Sequence, residues 1–74
     1  MDAAPVPAVP TDRAEAIAIL KAYLARLGEC RTTAARDRKV AGLIEHVAAI
    51  IGDHPDLERA WLLGMDRINK RFQA

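Results

Sequence analysis

The stretch that decides the fold is Thr33–Ile51, TAARDRKVAGLIEHVAAII, which reads as an amphipathic helix. At about 100° per residue, its large apolar side chains share an arc of roughly a third of the circumference. Small residues repeat at intervals of seven on another face, and they would let a second backbone approach closely. We therefore expect a core on one side of this helix and a self-association surface formed by Ala35, Gly42 and Ala49 on another.

A second helix is predicted before this stretch, over 12–27. Asp12 with Glu15 three residues later resembles a capping box, and Ile17, Leu20, Leu24 and Leu27 then repeat at helical spacing. Gly28 stands where a left-handed residue would end the helix. Thr32 or Thr33 is expected to cap the helix over 33–51, which Gly52 should end in the same way.

A third helix is predicted over 55–72. Pro55 suits a first helical position, where its missing N–H is not needed. The apolar residues that follow step by four, four, three and four: Leu57, Trp61, Met65, Ile68 and Phe72. With no strand signal and two short joints, the sequence predicts an all-α fold, a small up-down-up three-helix bundle.

The bundle is expected to occupy 12–74, preceded by a disordered tail over 1–11. The tail contains Pro5, Pro7 and Pro10, which remove amide donors and favour extended conformations. A bundle of this size gains limited stability from its core, so two copies sharing a helical core as a homodimer are an alternative to the monomer.

The remaining composition indicates a soluble cytoplasmic protein. Cys30 is the single cysteine, which fits a reducing compartment. No apolar run approaches the roughly 18 residues of a membrane helix, and no signal peptide is recognisable. His46 and His54 lie too far from Cys30 in the chain to satisfy a zinc spacing, and His46 is expected to be half-exposed. We therefore expect no metal, no cofactor and no enzymatic activity.

Charge is predicted to separate along the bundle. Antiparallel order brings the joint after the first helix to the same end as the start of the second helix and the finish of the third. Eight basic residues gather there against three acidic ones, although the net charge of the chain is only +1. The eight are Arg26, Arg31, Arg36, Arg38, Lys39, Arg67, Lys70 and Arg71. Bases at the start of the second helix oppose the helix dipole, so stability alone does not explain them.

These features predict a protein-interaction module, such as an adaptor, co-regulator or assembly subunit, that presents a basic end to an acidic protein. Leu63 points away from the predicted core among basic residues and is its expected apolar anchor. The partner-binding set is Arg36, Arg38, Lys39, Leu63, Arg67, Lys70 and Arg71. The alternative is a nucleic-acid-associated regulator that binds phosphates through the same end. The same basic residues are also explained without any partner, as solvated side chains whose stems cover the core.

Overall fold

The computed structural model describes residues 12–73, and these residues are helical with no strand. Three α-helices and one 3-10 turn follow one another in the order α1 (Arg13–Gly28), α2 (Thr33–Asp53), the 3-10 turn (Pro55–Leu57) and α3 (Glu58–Gln73). The prediction of an all-α fold with three helices is confirmed for this part of the chain. The tail predicted over 1–11 lies outside the described residues.

Side chains cap the starts of α1 and α2. The Asp12 carboxylate oxygen accepts a hydrogen bond from the Ala14 amide at 2.9 Å, and the Thr32 hydroxyl oxygen accepts one from the Ala35 amide at 3.1 Å. Both capping residues have extended backbone conformations, as N-caps normally do. These contacts fix where α1 and α2 begin.

The glycines do not end the helices in the expected way. No glycine between residues 12 and 73 has a positive φ, and both Gly28 and Gly52 have helical conformations. The Gly28 carbonyl instead accepts a hydrogen bond from Arg71 of α3 at 3.1 Å. Backbone amides of Glu29 and Cys30 satisfy the other terminal carbonyls of α1, so no left-handed cap is needed. α2 ends at Asp53, just before Pro55, which cannot donate to a continuing helix.

Contacts at the two ends establish the up-down-up order. At one end, Arg71 of α3 reaches the last carbonyl of α1 at Gly28. At the other end, Arg13 in the first turn of α1 pairs with Asp56 just before α3. α1 and α3 therefore run in the same direction, and α2, which connects them in the chain, runs in the opposite direction.

The core consists of aliphatic side chains and one tryptophan. The buried apolar residues are Ala16, Leu20, Leu27, Val47, Ile50, Leu57, Trp61 and Ile68. Ile17, Ile19, Tyr23, Leu24, Val40, Leu43, Ile51, Met65 and Phe72 are partly buried around them. These lists contain every apolar residue that the sequence assigned to the core except Ile44.

Ile44 and His46 both differ from expectation. Ile44 is 45% exposed, although it was assigned to the core face. It lies about 120° around the helix from the buried Ile50, so it falls at the edge of the arc. His46 is only 7% exposed rather than half-exposed. Its Nδ1 lies 2.6 Å from the Tyr23 hydroxyl of α1, and this hydrogen bond explains how a polar ring fits there.

Candidate interaction surface

The residues predicted to bind a partner lie mainly at one end of the bundle, which we call the joint end. It comprises the connection 29–32, the first two turns of α2 and the last two turns of α3. A cleft of about 640 Å³ opens there. Its lining consists of Gly28, Glu29, Cys30, Arg31, Ile68, Arg71 and Phe72. The surface is concave and carries two arginines.

Arg36 is the basic residue most firmly held at this end. Its side chain is 16% exposed and forms an ion pair with Asp37 at 3.0 Å. The guanidinium also donates to the Asn69 side chain and lies 5.3 Å from the centre of the Phe72 ring. Arg36 therefore joins the start of α2 to the last turns of α3. Only a small part of its side chain is exposed to a partner.

Arg38 and Lys39 are different, because both side chains are exposed. Among residues 12–73, neither forms a hydrogen bond or an ion pair. The first turn of α2 contains no acidic residue, and Arg38 and Lys39 lie in the second turn, where the dipole of α2 acts only weakly on their charges. Internal stability does not account for these two residues.

The basic residues of α3 have mixed roles. Arg71 donates to the Gly28 carbonyl, and Lys70 pairs with Asp66 at 3.0 Å across one helical turn. Both side chains of the latter pair are more than half exposed, so the pair is weak and can be exchanged for an outside partner. Arg67 is exposed and lines a second cleft, of about 480 Å³, between α1 and α3.

Leu63 is 54% exposed, as the sequence predicts. Its neighbour Leu62, which the sequence reasoning missed, is 57% exposed. The missed signal was available, because positions 62 and 63 both lie away from the arc that contains Leu57, Trp61 and Ile68. α3 therefore exposes two adjacent leucines rather than one.

The small residues assigned to self-association lie along one side of α2. Gly42 is exposed, and an added Cβ would meet no atom within 4 Å. Ala35 and Ala49 are half-buried. The stripe is therefore open at its centre and partly covered at its two ends.

The other reactive side chains have structural contacts. The Cys30 thiol lies 3.7 Å from the Arg26 carbonyl oxygen, and the imidazole of His46 contacts Tyr23. Between residues 12 and 73, no group of three or more histidine, cysteine or acidic residues could hold a metal ion. None of the helices described here is both long and apolar enough to cross a bilayer.

Comparisons with protein-family models, with curated proteins and with solved structures find no match for this chain.

Proposed function

We propose that this chain is a non-enzymatic protein-binding module of the cytoplasm that presents the joint end to an acidic surface of another protein. The observation that carries the proposal is the pair Arg38 and Lys39. Both are exposed, and neither has an internal partner among the described residues. Positive charges held in such a place favour an anionic ligand.

The proposed contact set divides into three roles. Arg38, Lys39 and Arg67 supply exposed charge, while Lys70 can release Asp66 to join them. Leu63 supplies an apolar anchor beside these charges, as hot spots of interfaces often do. The remaining two residues, Arg36 and Arg71, hold the helices together at this end.

Charge reversal at Arg38 and Lys39 tests the proposal. The wild type and an Arg38→Glu, Lys39→Glu variant are each used to enrich and crosslink partners. A captured partner supports the proposal only under two conditions. The variant must fail to bind it, and a compensating acid-to-base change in that partner must restore binding to the variant. Lys21→Glu is the matched control, because Lys21 is exposed on α1 and lies two turns from its finish.

Binding to a random-sequence DNA duplex distinguishes the alternative, a nucleic-acid-associated regulator, from the protein-binding proposal. A phosphate-binding protein would bind the duplex at about 50 mM salt and lose affinity steeply as salt rises. The protein-binding proposal predicts no duplex binding at that salt concentration. Duplex binding that disappears in the Arg38→Glu, Lys39→Glu variant would replace it with a role at nucleic acid.

A further inference from the structure

The outward face of α3 carries a regular pattern of leucines and charges. At about 100° per residue, six of its side chains fall within about 180° on the side opposite the buried Leu57, Trp61 and Ile68. All six are exposed: Glu58, Arg59, Leu62, Leu63, Asp66 and Arg67. We call these six residues the α3 face.

The two leucines have opposite surroundings. Residues four positions apart are neighbours on a helix surface. Leu62 therefore lies between Glu58 and Asp66, whereas Leu63 lies between two bases, Arg59 and Arg67. One row of the α3 face is acidic and the adjacent row is basic, each with a leucine at its centre.

Arg59 and Asp66 lie near the centre line of the α3 face, and these two residues are complementary to each other when the chain direction is reversed. We propose that two copies of this chain pair through the α3 face, with their α3 helices antiparallel about a two-fold axis between Leu62 and Leu63. The proposal goes beyond the proposed function, because Arg38 and Lys39 take no part in the pairing. The contact is of the self-complementary kind that a two-fold axis requires.

The register of the antiparallel pair follows from the sequence numbers. In an antiparallel pair, residues of the two copies that face each other have sequence numbers with a constant sum. Placing the two-fold axis between Leu62 and Leu63 fixes that sum. Arg59 then faces Asp66 of the second copy, and Asp66 faces the Arg59 of that copy. Both residues lie within about 10° of the centre line of the α3 face, so the two pairs flank the leucines.

Two more features favour a second copy as the occupant. The acidic start of α3, with Glu58, lies at the same end of the pair as the basic finish of the other α3, with Arg67 and Lys70, while Glu58 and Arg67 are on opposite edges of the α3 face. Two helix dipoles that run antiparallel also attract each other. A parallel arrangement would instead place Arg59 against Arg59 and Asp66 against Asp66, with like charges at the centre of the contact.

Sedimentation equilibrium at low salt tests the pairing. The wild type is expected to form dimers as concentration rises toward the millimolar range, and a Leu62→Asp, Leu63→Asp variant to stay monomeric, with at least a hundredfold weaker association. Gly42→Glu is the control, because it adds a charge to an open position of α2 outside the α3 face. A monomeric wild type, or a dimer that survives in the double-leucine variant, overturns the proposal. Loss of the dimer in the Gly42→Glu variant also overturns the proposal.

Charge swaps test the register. Arg59→Asp alone and Asp66→Arg alone each create two like-charge contacts, so each variant should associate about tenfold or more weakly. An equimolar mixture of the two variants should recover the dimer as a heterodimer, because aspartates of one copy then face arginines of the other at both places. Circular dichroism of each variant checks that the helices are retained. Failure of the mixture to associate overturns the antiparallel register.

The two proposals fail in different ways. Arg38 and Lys39 lie outside the α3 face, so their reversal should leave the dimer intact. A monomeric protein that still binds an acidic partner through Arg38 and Lys39 would overturn the pairing alone. A dimer with no partner sensitive to those two residues would overturn the proposed function alone.

Discussion

Replacing Arg36 with alanine should destabilise the fold, whereas replacing Arg38 should not. Both are arginines in the first two turns of α2, but only Arg36 has contacts with α3. It donates to Asn69, lies 5.3 Å from the Phe72 ring centre and pairs with Asp37. Arg36→Ala removes all three contacts together.

The expected cost can be worked out from these contacts. A cation–π contact contributes about 0.5–2 kcal/mol, and a hydrogen bond from a charged donor contributes about 1.5–3 kcal/mol. The ion pair adds little, because Asp37 is 68% exposed. Contacts that share one side chain are not additive, so we expect a loss of about 2–3 kcal/mol.

Thermal unfolding followed by circular dichroism measures the difference. For a domain of this size, 1 kcal/mol shifts Tm by about 4–8 °C, so Arg36→Ala should lower Tm by about 10–20 °C. Arg38→Ala should change the free energy of unfolding by less than about 0.5 kcal/mol, as is usual for exposed sites. Equal Tm values for the two variants would refute the role of Arg36 as a link between α2 and α3.

Gly42→Ala should raise the free energy of unfolding by about 1 kcal/mol, because alanine is the better helix former and an added Cβ meets open space. Gly64→Ala should instead lower the free energy of unfolding by up to about 2 kcal/mol, since its Cβ would lie 2.5 Å from Leu24 Cδ1. Urea unfolding of both variants measures these changes. An equal gain in the two variants would contradict the close approach of α1 and α3. Tyr23→Phe should cost about 1 kcal/mol through loss of the 2.6 Å bond to His46, and an unchanged urea midpoint would show that the bond contributes nothing.

The helices and their order were predictable because they depend on local patterns. Apolar spacing located all three helices, and Asp12 and Thr32 were among the candidate caps because such side chains bond within three residues. The short connection 29–32 forces α1 and α2 to run in opposite directions. Information of this kind is contained in a few neighbouring residues.

The end of α1 was predicted within one residue, but the left-handed cap expected there was predicted wrongly. Gly28 suggested a left-handed cap, but Arg71, 43 residues later, satisfies the carbonyl. The burial of His46 has a similar origin, since its partner Tyr23 lies on another helix. Such contacts appear only after the helices have been packed together.

The candidate surface was predictable in position but not in detail. Topology alone indicated that Arg36 and Arg38 lie at the same end of the bundle as the finish of α3. Periodicity does not show that Arg36 is held inward by Asn69 and Phe72 while Arg38 stays exposed. The side chains of a charged cluster take different roles according to which neighbours they can reach.

Amide spectra recorded by NMR during dilution test most directly whether two copies of this chain pair through the α3 face. Concentrations from about 1 mM to about 10 µM cover the range in which weak protein pairs dissociate. The pairing predicts concentration-dependent shifts over 58–67, with the outward residues Ala18 and Ala22 of α1 unchanged. A spectrum that does not change on dilution, or shifts confined to Ala35, Gly42 and Ala49, would contradict it.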